Sequence, residues 1–219
     1  KITVSKRMPD GTLVKQKAEP GMIRPYDLSA LTEGRIRVKA ECFGLKRYQP
    51  GEENLAGLAD CIEASGASKL EFRETDISPF AEKLREGMTA GRITQLSADF
   101  CDASEDAMQK MASGIESSSL TRFEMQMLNK GVGASLAGII EALPPSLTYL
   151  ALDNNMLRDA EKSALIKKLP DLKALRHLGL GDDEIKTRDI QQIASALPAS
   201  LETMSLKENA SILDEGTLA

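Results

Sequence analysis

Leu147-Thr148-Tyr149-Leu150-Ala151-Leu152-Asp153-Asn154-Asn155-Met156-Leu157 fills every fixed position of the phrase L-x-x-L-x-L-x-x-N-x-L. Other segments carry worn copies of the same phrase. Aligned on its fourth position, the copies centre on Phe43, Leu70, Leu96, Phe123, Leu150, Leu178 and Met204, in steps of 27, 26, 27, 27, 28 and 26 residues. A strand phrase followed by a helical stretch, recurring at so even a period, describes a solenoid of stacked units with one strand and one helix in each.

Within a unit, positions one, four and six are expected to point inward. The ninth turns inside the stack, where a polar side chain must satisfy backbone groups that the turn leaves without partners. Thr75, Cys101, Asn155, Asp183 and Asn209 stand there. The Phe123 unit departs from the pattern, since Leu128-Asn129 brings its asparagine one residue late; the Phe43 unit has Tyr48 and Pro50 in its turn, and the last has Ser211 at the next apolar position.

Apolar residues at helical spacing follow the strands: Leu55, Leu58, Ala59 and Ile62; then Ala107, Met108, Met111 and Ile115; then Leu136, Ile139, Ile140 and Leu143. Ala160, Leu165 and Leu169 form a fourth face, and Ile190, Ile193, Ala194 and Leu197 a fifth. Ser104-Glu105-Asp106, Asp159, and Thr187 ahead of Asp189 mark helix openings. Leu143-Pro144-Pro145-Ser146-Leu147 and Leu197-Pro198-Ala199-Ser200-Leu201 stop one helix and launch the next strand, because proline cannot continue a helix.

Helix-bearing units of this length resemble the ribonuclease-inhibitor-like and cysteine-containing classes of leucine-rich repeat, and Cys101 sits where those classes carry Asn or Cys. The resemblance implies an α/β right-handed solenoid with a parallel sheet on the concave side and helices on the convex side. The Leu-Pro-Pro-Ser-Leu and Leu-Pro-Ala-Ser-Leu phrases look like those of leucine-rich-repeat effectors that bacterial pathogens deliver into host cells. The effectors that carry a ubiquitin-ligase domain use them in shorter units of about 20 residues, so the wording matches and the architecture does not. Residues 1–38 fall outside the repeat, with Ile2-Thr3-Val4 and Leu13-Val14 flanking the turn signal Pro9-Asp10-Gly11. They are expected to form an N-terminal cap with a β-hairpin, ahead of an array of about six to seven units over 39–219.

At 42% hydrophobic and 28% charged residues the chain has the composition of a folded soluble protein, and no apolar run approaches the roughly 20 residues that cross a bilayer. Cys42, Cys61 and Cys101, spaced 19 and 40 residues apart, fit neither a disulfide framework nor a zinc site. They read as free thiols in a reducing environment. Residues 1–50 carry 11 Lys/Arg against 5 Asp/Glu, and residues 51–219 carry 17 against 28. The basic leading cations are dispersed, without aromatic interleaving, so an ordinary solvated surface is expected there, with no nucleic-acid partner and membrane contact only a secondary reading. The chain begins with Lys1, which fits a piece of a longer protein.

Chemistry has little to work with. His177 is the single histidine and stands at the third, outward position of its strand phrase. Cys42 shares that face five units away, beyond contact at about 4.8 Å per strand. Cys101 and Cys61 read as structural. Asp182-Asp183-Glu184 and Asp153 lack the ligand series of a cation loop, and Gly131-Val132-Gly133 lacks the spacing and lysine of a phosphate loop. No catalytic residue, metal or cofactor is expected. What remains is the outward row of the sheet: Lys69, Glu71 and Arg73, then Asp99, then Arg122, Glu124 and Gln126, then Tyr149 and Asp153, then His177 and Lys207. Tyr149 and His177 beside the small Ala151 and Gly179 are expected to offer a ring and a shallow recess for a protein partner. The function expected is protein binding through this face by a bacterial effector secreted into the host cytosol. The alternative is the substrate-recognition half of a larger enzyme, for example a ubiquitin ligase.

Overall fold

The computed structural model describes residues 3–7, 13–17, 36–39, 42–46, 66–130 and 136–209, with side chains over 66–128 and 136–209. The turn at Pro9-Asp10-Gly11, the helical face at Leu55, Leu58, Ala59 and Ile62, Tyr48, Pro50, Gly131-Val132-Gly133, Ser211 and the side chains of Cys42 and Cys61 lie outside the described residues. Near the N-terminus, β1 (Thr3–Arg7) pairs antiparallel with β2 (Leu13–Lys17) and with β3 (Ile36–Lys39).

Alternation sets up the main sheet. Its strands are β4 (Cys42–Lys46), β5 (Lys69–Arg73), β6 (Gln95–Asp99), β8 (Arg122–Gln126), β10 (Tyr149–Ala151), β11 (His177–Gly179) and β12 (Thr203–Ser205), all parallel and in chain order. Two short strands, β7 (Asp102–Ala103) and β9 (Asn129–Lys130), pair beside it past the turns. The register places Phe43, Leu70, Leu96, Phe123, Leu150, Leu178 and Met204 in one row. The row is the one the repeat period defines. Inward residues at positions one, four and six, such as Leu120, Phe123 and Met125 or Leu175, Leu178 and Leu180, are fully buried. In the last described unit Leu201, Met204 and Leu206 are only partly covered.

The helices α1 (Ala81–Thr89), α2 (Glu105–Glu116), α3 (Ala137–Ala142), α4 (Asp159–Lys168) and α5 (Thr187–Ala196) pack side by side in sequence. One continuous apolar core lies between them and the sheet. Together these features make a leucine-rich-repeat-like α/β fold. Ser104 caps α2 as its sequence predicts, accepting the Ala107 amide at 3.2 Å. Asp159 and Thr187 are the first helical residues rather than caps, and the Thr187 hydroxyl has no hydrogen bond. The capping is done by Glu161 and Asp189, which accept the Arg158 amide at 3.0 Å and the Lys186 amide at 3.1 Å. Ala160 and Ala194 are exposed. In α4 the inward places go to Glu161 and Lys162, because Glu161 also reaches the Leu136 amide at 3.4 Å and Lys162 donates to the Glu184 carbonyl at 2.8 Å and Asp189 at 3.2 Å.

Side chains tie the units together on both flanks of the strands. At position nine, Asn155 donates to the Met125 carbonyl at 2.6 Å and accepts the Leu128 amide at 3.1 Å, both in the preceding unit. Asp183 accepts the Asn155 amide at 2.7 Å, and Asn209 accepts the Asp183 amide at 3.0 Å and donates to the Leu180 carbonyl at 2.7 Å. This accounts for Leu128, the apolar member of the row: its backbone is satisfied by Asn155. Ahead of the strands, Thr94, Thr121 and Thr148 each donate to the carbonyl one unit back, of Ser68, Thr94 and Thr121, at 3.5, 3.2 and 2.8 Å. Ser146 and Ser200 do the same to Leu120 and Leu175 at 2.8 and 2.7 Å. The serine of each Leu-Pro-x-Ser-Leu phrase is thus a brace between units.

Candidate functional site

The outward row is held by strand backbone on both sides, so its side chains meet across neighbouring strands at the fixed spacing of the sheet. Position three carries a stack. The Arg122 guanidinium lies 3.5 Å from the centre of the Tyr149 ring, and Tyr149 stacks on His177 with ring centres 4.2 Å apart and planes 12° from parallel. His177 Nδ1 is 2.7 Å from the Thr203 hydroxyl, which continues the line onto β12. Arg122 is fixed from the other side by an ion pair with Glu124. A planar cation over an aromatic face is favourable in itself, and here it begins a line of side chains that crosses four neighbouring strands.

The expected recess beside these rings is occupied. Asp153 turns its carboxylate onto the backbone that Gly179 and Gly181 leave uncovered, and its Oδ1 accepts the Gly181 amide at 2.7 Å. The glycines make room for an acid of the chain's own.

Lys69, Glu71, Arg73 and Asp99 form a separate charged end. Lys69 pairs with Glu71 at 2.6 Å, and Arg73 bridges to Asp99 at 3.3 Å and Glu74 at 3.6 Å. Gln126 is half-buried at the edge of the stack, and Lys207 stands exposed at the opposite end of the sheet. The structure therefore brings together Arg122, Glu124, Tyr149, His177 and Asp153, while the other predicted face residues flank them.

Cys101 is buried behind the sheet, and burial pushes its thiol up to about 11. Among the described residues no cluster of His, Cys, Asp and Glu is arranged to hold a metal ion, and no helix is long and apolar enough to cross a membrane. Two features lie outside the outward row. A groove of about 830 Å³ opens between α4 and α5, bordered by Ile166, Pro170, Arg188, Gln192 and Ala196, with Lys162 and Asp189 paired in its floor. Phe100, Met127 and Met156 are exposed in the turns after the strands. The sequence signal for Phe100 and Met127 is a large apolar residue at position eight, where other units carry Glu74, Asn154, Asp182 and Glu208.

No family model and no curated protein matches the chain. Among solved structures it is similar to the leucine-rich repeat-containing protein LegL7 from Legionella pneumophila, at 14% identity over 89% of this chain and 72% of that one, with a TM-score of 0.40. A superposition that loose carries no argument about the site or its use.

Proposed function

We propose that this chain is a binding module that holds a protein partner on the concave face of a right-handed solenoid, over the stack of Arg122, Tyr149 and His177, and that it acts by binding rather than by a reaction. The stack is the observation that carries the reading. Rings and a guanidinium already stacked in register across the strands have little side-chain freedom left to lose, which is what interface anchors supply. Strand-helix-strand crossovers take the right hand almost without exception, and curved solenoids present their inner face to partners. The ion pairs among Lys69, Glu71, Arg73, Asp99, Arg122 and Glu124 favour a polypeptide over a polyanion, because most cations of the face are already matched. Residues 1–38 serve as the cap that covers the first unit. The Leu-Pro-x-Ser-Leu phrases favour an effector of bacterial origin whose partner is a host protein and whose place of action is the host cytosol.

Affinity capture from a eukaryotic cell lysate tests this, comparing the parent chain with a Tyr149→Ala, His177→Ala, Arg122→Glu variant matched in circular dichroism and melting temperature. A protein retained by the parent and lost by the variant supports the face as the site. Equal recovery by both removes the site from this face.

A further inference from the structure

The turns after the strands form a second surface. Their eighth position is left-handed in every described unit, at φ between 47° and 62°, and in five units its amide donates to a carbonyl of the next turn, as Phe100 does to Gln126 at 3.1 Å and Asn154 to Gly181 at 2.8 Å. The ladder dictates that conformation. Bulky apolar side chains tolerate it poorly, whereas asparagine and aspartate accept it. Glu74, Asn154, Asp182 and Glu208 keep the position polar, yet two adjacent turns place Phe100 and Met127 there.

Both project into solvent, 46% and 39% exposed, and Met156, two residues past the same position in the following turn, is 70% exposed and also left-handed. Among the described residues these are the exposed large apolar side chains. Phe100 and Met127 hold the same position in adjacent turns about 4.8 Å apart, and Met156 stands two residues further along in the next turn, so the three make a short, offset apolar ridge. Neither backbone preference nor burial within the chain favours them.

The ridge has an acidic border. Among the described side chains of the turns on and beside the ridge, Asp76, Asp102, Asp182, Glu184 and Glu208 stand against Arg158, Lys186 and Lys207, while Asp153 is turned onto the Gly181 amide and Arg73 is already closed on Asp99 and Glu74. We propose that this ridge docks a basic amphipathic helix of a protein partner, separately from the sheet face. Apolar residues one turn apart on such a helix lie about 5–6 Å from each other, close to the spacing of the ridge, and its lysines and arginines meet the acids on either side. Methionine adapts its shape to such a stripe. A lipid surface is the other ligand an exposed apolar ridge could meet, and the acidic border opposes anionic headgroups.

Fluorescence polarisation with a labelled Leu/Lys amphipathic peptide of about five helical turns tests the proposal. A Leu/Glu peptide of the same pattern and phosphatidylcholine vesicles serve as competing ligands. The Phe100→Asn, Met127→Asn variant is the control, because the left-handed turns accommodate asparagine and the fold is expected to keep or raise its melting temperature. The Leu/Lys peptide should bind the parent, lose affinity with salt, and bind the variant about tenfold or more weakly, while the Leu/Glu peptide does not bind. Absence of Leu/Lys binding, equal affinity for parent and variant, equal binding of the Leu/Glu peptide, or capture of vesicles in preference to peptide would each overturn it.

Discussion

The Asp153 carboxylate occupies the space that a side chain at Gly179 would need: a methyl group there would come within 2.5 Å of Oδ2 and 3.3 Å of the Ala151 Cβ. Because Oδ1 is committed to the Gly181 amide, Gly179→Ala must push the acid off its donor. We expect a loss of about 1–3 kcal/mol in urea unfolding. In an Asp153→Ala background the same substitution should cost much less. Strict additivity of the two changes would show that they do not share the space.

Asn155 is buried and serves both its own turn, donating to the Leu152 carbonyl at 2.5 Å, and the preceding unit through Met125 and Leu128. Replacing it with alanine leaves those backbone groups without partners inside the stack. The expected destabilisation is about 2–4 kcal/mol. An equilibrium unfolding midpoint within error of the parent would show that water reaches the turn and replaces the side chain.

Asp189 links pH to stability. Burial alone would raise its carboxyl, but the Lys186 amide and the Lys162 ammonium outweigh burial and hold it below the ordinary aspartate range. A depressed folded value means that the contribution is present above the unfolded value and disappears as pH falls through the folded one, so the loss belongs below about pH 4. The stability gap between the parent and Asp189→Asn should be constant from neutral pH to about pH 5 and close in more acid solution. A gap that stays open at pH 2 would mean that the charge is not what asparagine lacks.

Cys101 should resist thiol reagents in the folded chain at mildly alkaline pH, since it is buried and its thiolate is disfavoured by that burial. Peptide mass spectrometry after iodoacetamide treatment should find it labelled only once denaturant is added. Labelling at the rate of an unfolded peptide under native conditions would place the thiol at the surface.

Much of this fold is legible in the sequence because the repeat is read many times over. A single worn copy such as Leu120, Phe123 and Met125 would not fix a strand register, but the even period from Phe43 to Met204 does, and the observed pairing follows it. Polar interactions that cross units were hidden from such a pattern. Glu161 and Lys162 take inward places on α4 because each has a partner from another element, Leu136 or Asp189. A hydrophobic period looks only for apolar residues and so assigned the face to Ala160.

The outward row shows the same division. Alternation is enough to place Tyr149 beside His177, since both are position three on neighbouring strands. It could not show Arg122 lying over the Tyr149 ring, nor Asp153 filling the space beside Gly179, because both depend on how a side chain bends across the sheet. The left-handed turns were hidden for a different reason: glycine would have announced them, and Phe100 and Met127 do not.

The braces that run through Thr94, Thr121 and Thr148, and through Asn155, Asp183 and Asn209, leave most of the outward row without structural duty. Point mutation can therefore rewrite what the surface presents while the coil persists, Asp153 being an exception. Gain or loss of one unit of about 27 residues keeps the strand register of the units that remain. In such a lineage the surface and the spine answer to separate selection, and descendants can change what they hold long before they change shape.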